Sequence, residues 1–154
     1  MAVLPPFIIL DNHLKEWLRE DIGRGDRTTQ SLVTQDEAEG KALWIVKADG
    51  VVAGLPIAGR VFRLLNEKVD FTALVKEGEF CQGGKVIAQI EGSLAALLTG
   101  ERVALNLVMS LSGIATLTRR YVEKIEDLPT LFVDTRKTTP GLRILEKYAT
   151  LVGG

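Results

Sequence analysis

Residues 134–141 read Asp-Thr-Arg-Lys-Thr-Thr-Pro-Gly and follow directly on the apolar run Leu131-Phe132-Val133. An arginine, a lysine and three threonines therefore fall within one short segment, which Pro140-Gly141 brings to a stop. Arg136 offers a planar fork for bidentate contact and Lys137 a compact point charge. Together with the hydroxyls and backbone donors around them, they suit a multiply charged anion, carboxylate or phosphate. Arg102 is a third cation of interest, placed in an otherwise apolar run. Taken alone, it reads as an ion-pair partner for Glu101 or another nearby carboxylate. Arg143 and Lys147, one helical turn apart with Glu146 between them, read as a solvated face.

These residues need elements to hold them. Leu131–Val133 predicts a short buried strand, with helix before it and helix after it over Arg143–Leu151. That alternation is how a βα series begins, and in such folds ligands bind beyond the carboxyl ends of the strands. Upstream, 93–127 carries no proline and only Gly100 and Gly113, with leucine and valine on nearly every side. It predicts buried helix, divided at those glycines into two or three pieces.

Closer to the start, Leu14–Asp21 has helical spacing, with Asp11 or Asn12 as N-cap. The segment Asp21–Thr29 reads as a glycine-rich connecting loop. β-Branched residues over 40–52 predict two strands about an Asp49-Gly50 turn. A helix over Ile57–Asn66, a strand over Phe71–Val75, a turn at Glu77-Gly78-Glu79 and a strand over Val86–Ile90 complete an α+β layer.

Composition bounds the rest. The chain has 154 residues, enough for one ordinary domain or two small ones. Its 19 basic and 20 acidic residues nearly balance, which argues against non-specific nucleic-acid binding. Cys81 is the only cysteine, so neither an internal disulfide nor a multi-cysteine metal site can form, and it reads as inert. His13 has no other metal-type ligand beside it and reads as a surface residue. Met1–Leu10 lacks the basic start of a signal peptide, and no apolar stretch reaches membrane-spanning length without a charge. The expected location is cytoplasmic, with no membrane partner.

Five motifs, in order along the chain, carry a resemblance: E-D-I-G-R-G-D-R-T-T at 20–29, G-V-V-A-G at 50–54, G-E-R-V-A-L-N at 100–106, L-S-G-I-A-T-L-T at 111–118 and D-T-R-K-T-T-P-G-L-R at 134–143. Together the sequence resembles the quinolinate phosphoribosyltransferases, also called nicotinate-nucleotide pyrophosphorylases (carboxylating). The resemblance implies transfer of phosphoribose from phosphoribosyl pyrophosphate to quinolinate with loss of CO2, giving nicotinate mononucleotide and pyrophosphate for NAD biosynthesis. Mg²⁺ accompanies the pyrophosphate group and is not bound by residues of this chain. The implied fold is an α+β sandwich, dimer-forming and substrate-capping, over 1–112, followed by the first unit of an α/β barrel over 113–154.

The resemblance also implies site residues. Thr135, Arg136 and Lys137 match residues that bind the substrate carboxylates, with Lys137 acting in catalysis, and Arg102 matches an arginine that reaches in from a partner subunit of a homodimer or higher assembly. Where the family often carries a glutamine and a basic residue, this chain has Met109 and Ser110. The family continues past the glycines at 153–154 into an Asn-His-Arg motif, acidic residues and phosphate loops, so the chain is expected to be inactive alone and to associate through an exposed apolar edge. Two alternatives accompany this reading: the related molybdenum-transport protein, and a non-catalytic dimerisation or regulatory module.

Overall fold

The computed structural model describes residues 3–23 and 38–154. Its elements, in order, are helix α1 (Phe7–Ile22), strands β1 (Glu39–Ile45) and β2 (Gly50–Val51), helix α2 (Leu55–Leu65), strands β3 (Asp70–Ala73), β4 (Phe80–Cys81) and β5 (Val86–Ser93), and helices α3 (Leu94–Lys124) and α4 (Arg143–Gly153). The expected loop over Asp21–Thr29 lies largely outside the described residues, of which only its first three positions are part.

β5 is the middle strand of an antiparallel sheet ordered β1-β5-β3, and β2 and β4 form a separate two-stranded pair. The strands either side of Asp49-Gly50 therefore form no hairpin with each other. Asp49 instead accepts a hydrogen bond from the Gly83 amide at 2.8 Å. Trp44 and Phe71 lie opposite Ala88 and Ile90 of β5 respectively, on the face that meets α2. Trp44 meets Phe71 edge-on at 5.6 Å between ring centroids, and Phe62 of α2 stacks on Phe71 at 6.1 Å. Large rings on adjacent strands and a facing helix exclude water from one continuous apolar volume, and this holds the layers together.

α1 begins earlier than its pattern suggests. Pro6 is its N-cap and Asp11 caps nothing; Asp11 instead receives two hydrogen bonds from Arg60 of α2, at 2.8 and 2.5 Å. The first turn was masked by its content, since Ile8 and Ile9 are exposed while Leu10 is buried. α3 is also a correction: it runs unbroken for 31 residues through both glycines. A Cβ at Gly100 would stand 2.8 Å from Phe62 Cδ1, so that glycine lets α2 cross close to α3. Tight interhelical packing there outweighs a propensity cost of about 1 kcal/mol. By length and composition α3 is apolar enough to cross a membrane, yet its Leu97, Val103, Ala104, Val108, Leu111 and Ala115 stripe is buried within the fold.

Leu131–Val133 also departs from its pattern. These residues form no strand, and Leu131 is 83% and Val133 66% exposed. Among the described residues no strand lies alongside to take up their backbone hydrogen bonds, and a strand cannot exist without a neighbour. Phe132 alone finds a partner, stacking on Tyr121 at 5.7 Å with the rings nearly parallel.

Candidate functional site

The 134–141 segment is anchored by helix α4. Glu146, in the first turn of α4, accepts from the Thr139 amide through Oε2 at 3.1 Å. Arg143 donates from Nε to Thr138 Oγ1 at 3.1 Å, and Lys147 Nζ pairs with Asp134 Oδ1 at 2.6 Å. Arg143, Glu146 and Lys147 are therefore not the idle solvated face their spacing suggests. Each of the three ties one end or the middle of the segment to the helix. Gly141, at φ +82°, supplies the left-handed backbone that returns the chain into α4.

Inside this frame the segment folds on itself. Thr135 Oγ1 accepts from the Lys137 amide at 3.1 Å, and the Arg136 carbonyl accepts from the Thr138 amide at 3.0 Å. The Thr135 contact is a local side-chain-to-backbone turn. The Arg136 and Lys137 side chains are exposed. Among the described residues neither is paired with a carboxylate, because Asp134 and Glu146, the nearest acids in sequence, are engaged by Lys147 and Thr139. Three of the four expected site residues are thus consecutive on one exposed turn, with two cations available to an anion.

Arg102 sits elsewhere, on the early part of α3. It donates from NH1 to Asp21 Oδ1 of α1 at 2.9 Å, and its side chain is 73% exposed. The neighbouring carboxylate that its apolar setting called for is therefore Asp21 rather than Glu101. Between these two places lies a cavity of about 440 Å³ with Glu20, Asp21, Asn106 and Glu146 in its walls. Most of its lining is apolar (Trp17, Val103, Leu107, Leu111, Leu142 and Leu145), its only charged side chains are carboxylates, and none of the four expected residues contributes to it, so it suits a dianion poorly.

Two groups outside the expected set are unusual. Tyr148 of α4 is buried and donates to Glu77 Oε2 at 2.6 Å; burial foremost, and then the Glu77 carboxylate, push its phenol well above its ordinary value. Cys81 is also buried, which raises its thiol above the usual range and accords with its inert reading. The only sequence signal for Glu77 was a turn, and nothing in the order of residues links it to a tyrosine 71 positions away. His13 packs against Trp17 one turn along α1, at 5.8 Å between rings.

Among solved structures, NadC from Streptococcus pyogenes superposes with a TM-score of 0.91 and 43% identity, over 98% of this chain and 54% of that one. The architecture is thus the mixed helix-and-sheet fold of that protein. Family models agree in both parts of the chain: the N-terminal domain of quinolinate phosphoribosyl transferase matches residues 26–112, and its C-terminal domain matches residues 114–154. Among curated relatives, the probable nicotinate-nucleotide pyrophosphorylase [carboxylating] of Synechocystis is 58% identical over all 154 residues, and that of Bacillus subtilis 47% over 141. The chain belongs to the quinolinate phosphoribosyl transferase family. It covers 52% and 48% of those two relatives, about half their length.

Proposed function

We propose that this chain carries the quinolinate-binding end of an enzyme that transfers phosphoribose from phosphoribosyl pyrophosphate to quinolinate with decarboxylation, forming nicotinate mononucleotide. The observation that carries the reading is the exposed Arg136–Lys137 pair, left without a carboxylate partner while α4 holds the turn from behind. Quinolinate bears two carboxylates on adjacent ring carbons. Arg136 takes one in a bidentate fork, Lys137 neutralises the other, and Thr135 holds the turn that carries them. Each charge-assisted hydrogen bond contributes about 1.5–3 kcal/mol, so two or three cations together reach the roughly 8 kcal/mol of micromolar retention.

The chemistry follows from the charges. The ring nitrogen forms its bond to the ribose carbon as pyrophosphate departs, and that carbon passes through an oxocarbenium-like state. Breaking the bond to the carboxyl group beside the nitrogen then releases CO2 and leaves its electron pair on the ring carbon until a proton arrives. A fixed ammonium such as Lys137 favours that charge as it develops, which is its catalytic role in this reading. Mg²⁺ arrives with the pyrophosphate of the substrate. Among the described residues no three His, Cys, Asp or Glu side chains gather to hold a metal, and no step is assigned to it.

The same reading divides the chain into a sandwich over 1–112 and a first barrel unit over 113–154, even though α3 runs continuously across that boundary. It places the protein in the cytoplasm as a homodimer or higher assembly, with Arg102 reaching a neighbour's site once released from Asp21. The test is steady-state turnover of quinolinate and phosphoribosyl pyrophosphate by the protein expressed from its intact gene. Arg136→Ala is expected to raise the quinolinate KM by about tenfold or more, and Lys137→Ala to lower kcat by about a hundredfold. Unchanged constants in both variants would overturn the assignment.

A further inference from the structure

The turn bearing Arg136 and Lys137 is held by α4, so its placement depends on what fixes α4. The buried face of that helix is Leu145, Tyr148, Ala149 and Val152. An apolar stripe resists removal from the core but has no directional preference, and by itself it tolerates rotation and sliding of the helix. Two directional bonds oppose this: Arg119 Nε of α3 donates to the Gly153 carbonyl at 2.6 Å and holds the far end of α4, and a second acts beside the turn. The Tyr148 hydroxyl donates to Glu77 Oε2 at 2.6 Å, and Tyr148 is the residue after Lys147 and two after Glu146, the two anchors of the turn.

Glu77 is itself immobilised. Its Oε2 accepts from the Gly54 amide at 2.8 Å and its Oε1 from the Leu55 amide at 2.9 Å, where α2 begins. A carboxylate is well placed at a helix N-terminus, where free amides and the helix dipole favour negative charge. The backbone on either side is tied down too: the Gly78 amide donates to the Val52 carbonyl at 2.9 Å, and the Val52 amide to the Glu79 carbonyl at 3.0 Å. Ser112 and Thr116 of α3 accept from the Ala53 and Val51 amides at 3.0 and 2.8 Å, joining this strand to the long helix. A Cβ at Gly78 would stand 3.1 Å from the Val152 carbonyl oxygen, so the Glu77 loop lies directly against the end of α4.

We infer that Glu77 and Tyr148 are positioning residues for the anion-binding turn: they lock the rotation and register of α4, and through Glu146 and Lys147 they set where Arg136 and Lys137 stand. Neither touches the substrate. This inference rests on the proposed role of Arg136 and Lys137, and two readouts separate the two claims. The experiment compares wild type, Tyr148→Phe and Glu77→Gln in the protein expressed from its intact gene. The Phe variant preserves volume and removes only the hydroxyl, so its melting temperature should fall by no more than a few degrees.

Amide hydrogen exchange over 135–142 should accelerate at least tenfold in both variants, and the quinolinate KM should rise about tenfold while kcat falls by less than the hundredfold of Lys137→Ala, since Lys137 rides on the same turn. The double variant should add little to Glu77→Gln alone, which besides weakening the Tyr148 bond leaves the Gly54 or Leu55 amide without its acceptor. Unchanged exchange over 135–142, or faster exchange with an unchanged KM, would overturn the inference. So would a lower melting temperature as the only effect. If wild type itself fails to use quinolinate, the functional reading fails, and the exchange measurement alone still decides whether the bond positions the turn.

Discussion

Gly153 and Gly113 both lie in helices, yet replacing each with alanine should move stability in opposite directions. A Cβ at Gly153 would stand 2.7 Å from Thr118 Cβ and 3.0 Å from Ala115 Cα, and nearer still to the Ala115 carbonyl oxygen. These are mainly backbone atoms of α3, which cannot rotate aside as a long side chain can. Overpacking of this kind costs about 1–3 kcal/mol, and rigid walls place it at the upper end. Displacing α4 also strains the bond from Arg119 Nε to the Gly153 carbonyl, 2.6 Å long and worth roughly 1 kcal/mol. Better helix propensity returns at most about 1 kcal/mol. The net loss is about 3 kcal/mol, or about 9 °C in melting temperature for a chain of this length. A methyl at Gly113 meets nothing within 4 Å, so Gly113→Ala keeps only the propensity gain, about 1 kcal/mol and about 3 °C upward. Thermal unfolding followed by circular dichroism, with urea titration as a cross-check, measures both. A Gly153→Ala protein melting within 2 °C of wild type, or a Gly113→Ala protein melting lower than wild type, would refute the packing argument.

Other expectations concern charges and the thiol. Arg60, chiefly by hydrogen bonding, holds the Asp11 carboxyl below its ordinary value of 3.8. Its contribution to stability is therefore complete above that pH and vanishes as pH falls through the lower folded value. Asp11→Asn should cost about 1 kcal/mol near pH 7, with the deficit in melting temperature closing below pH 3.8; a deficit constant with pH would contradict this. Arg102, proposed to reach a neighbour's site, should on replacement by alanine raise the quinolinate KM of the intact protein, and an unchanged KM would remove it from that site. Buried Cys81, its thiol raised by burial, should resist Ellman's reagent at pH 8 until urea unfolds the chain. Prompt labelling of the native protein would place it at the surface.

What the sequence discloses divides by distance along the chain. The turn at 134–141 was legible because its cations, hydroxyls and stop signal are consecutive, and a local constellation needs no knowledge of topology. The helices over 55–65 and 143–153 were legible for a similar reason, since apolar periodicity reports a face whatever it packs on. Leu131–Val133 shows the opposite case. Its composition calls for a strand, but a strand is made by its neighbours, and among the described residues none is beside it. The glycines of α3 misled because propensity is a small term: Gly100 is where α2 crosses, and Gly113 merely faces open space.

The bonds that organise the candidate site are the least legible, and they show how its parts depend on one another. Arg143, Glu146 and Lys147 look like a solvated i, i+3, i+4 pattern until the preceding turn is folded back on them. Glu77 looks like a turn residue until a tyrosine 71 positions later reaches it. A substrate-facing cation must be exposed and unpaired to bind an anion, so it cannot contribute to its own placement. The residues around it must therefore do so, and they come from wherever the fold brings rigid backbone close. Here that is the start of α2, through Glu77, and the first two turns of α4. A reading confined to the motif finds the groups proposed to meet the ligand and passes over those proposed to hold them still.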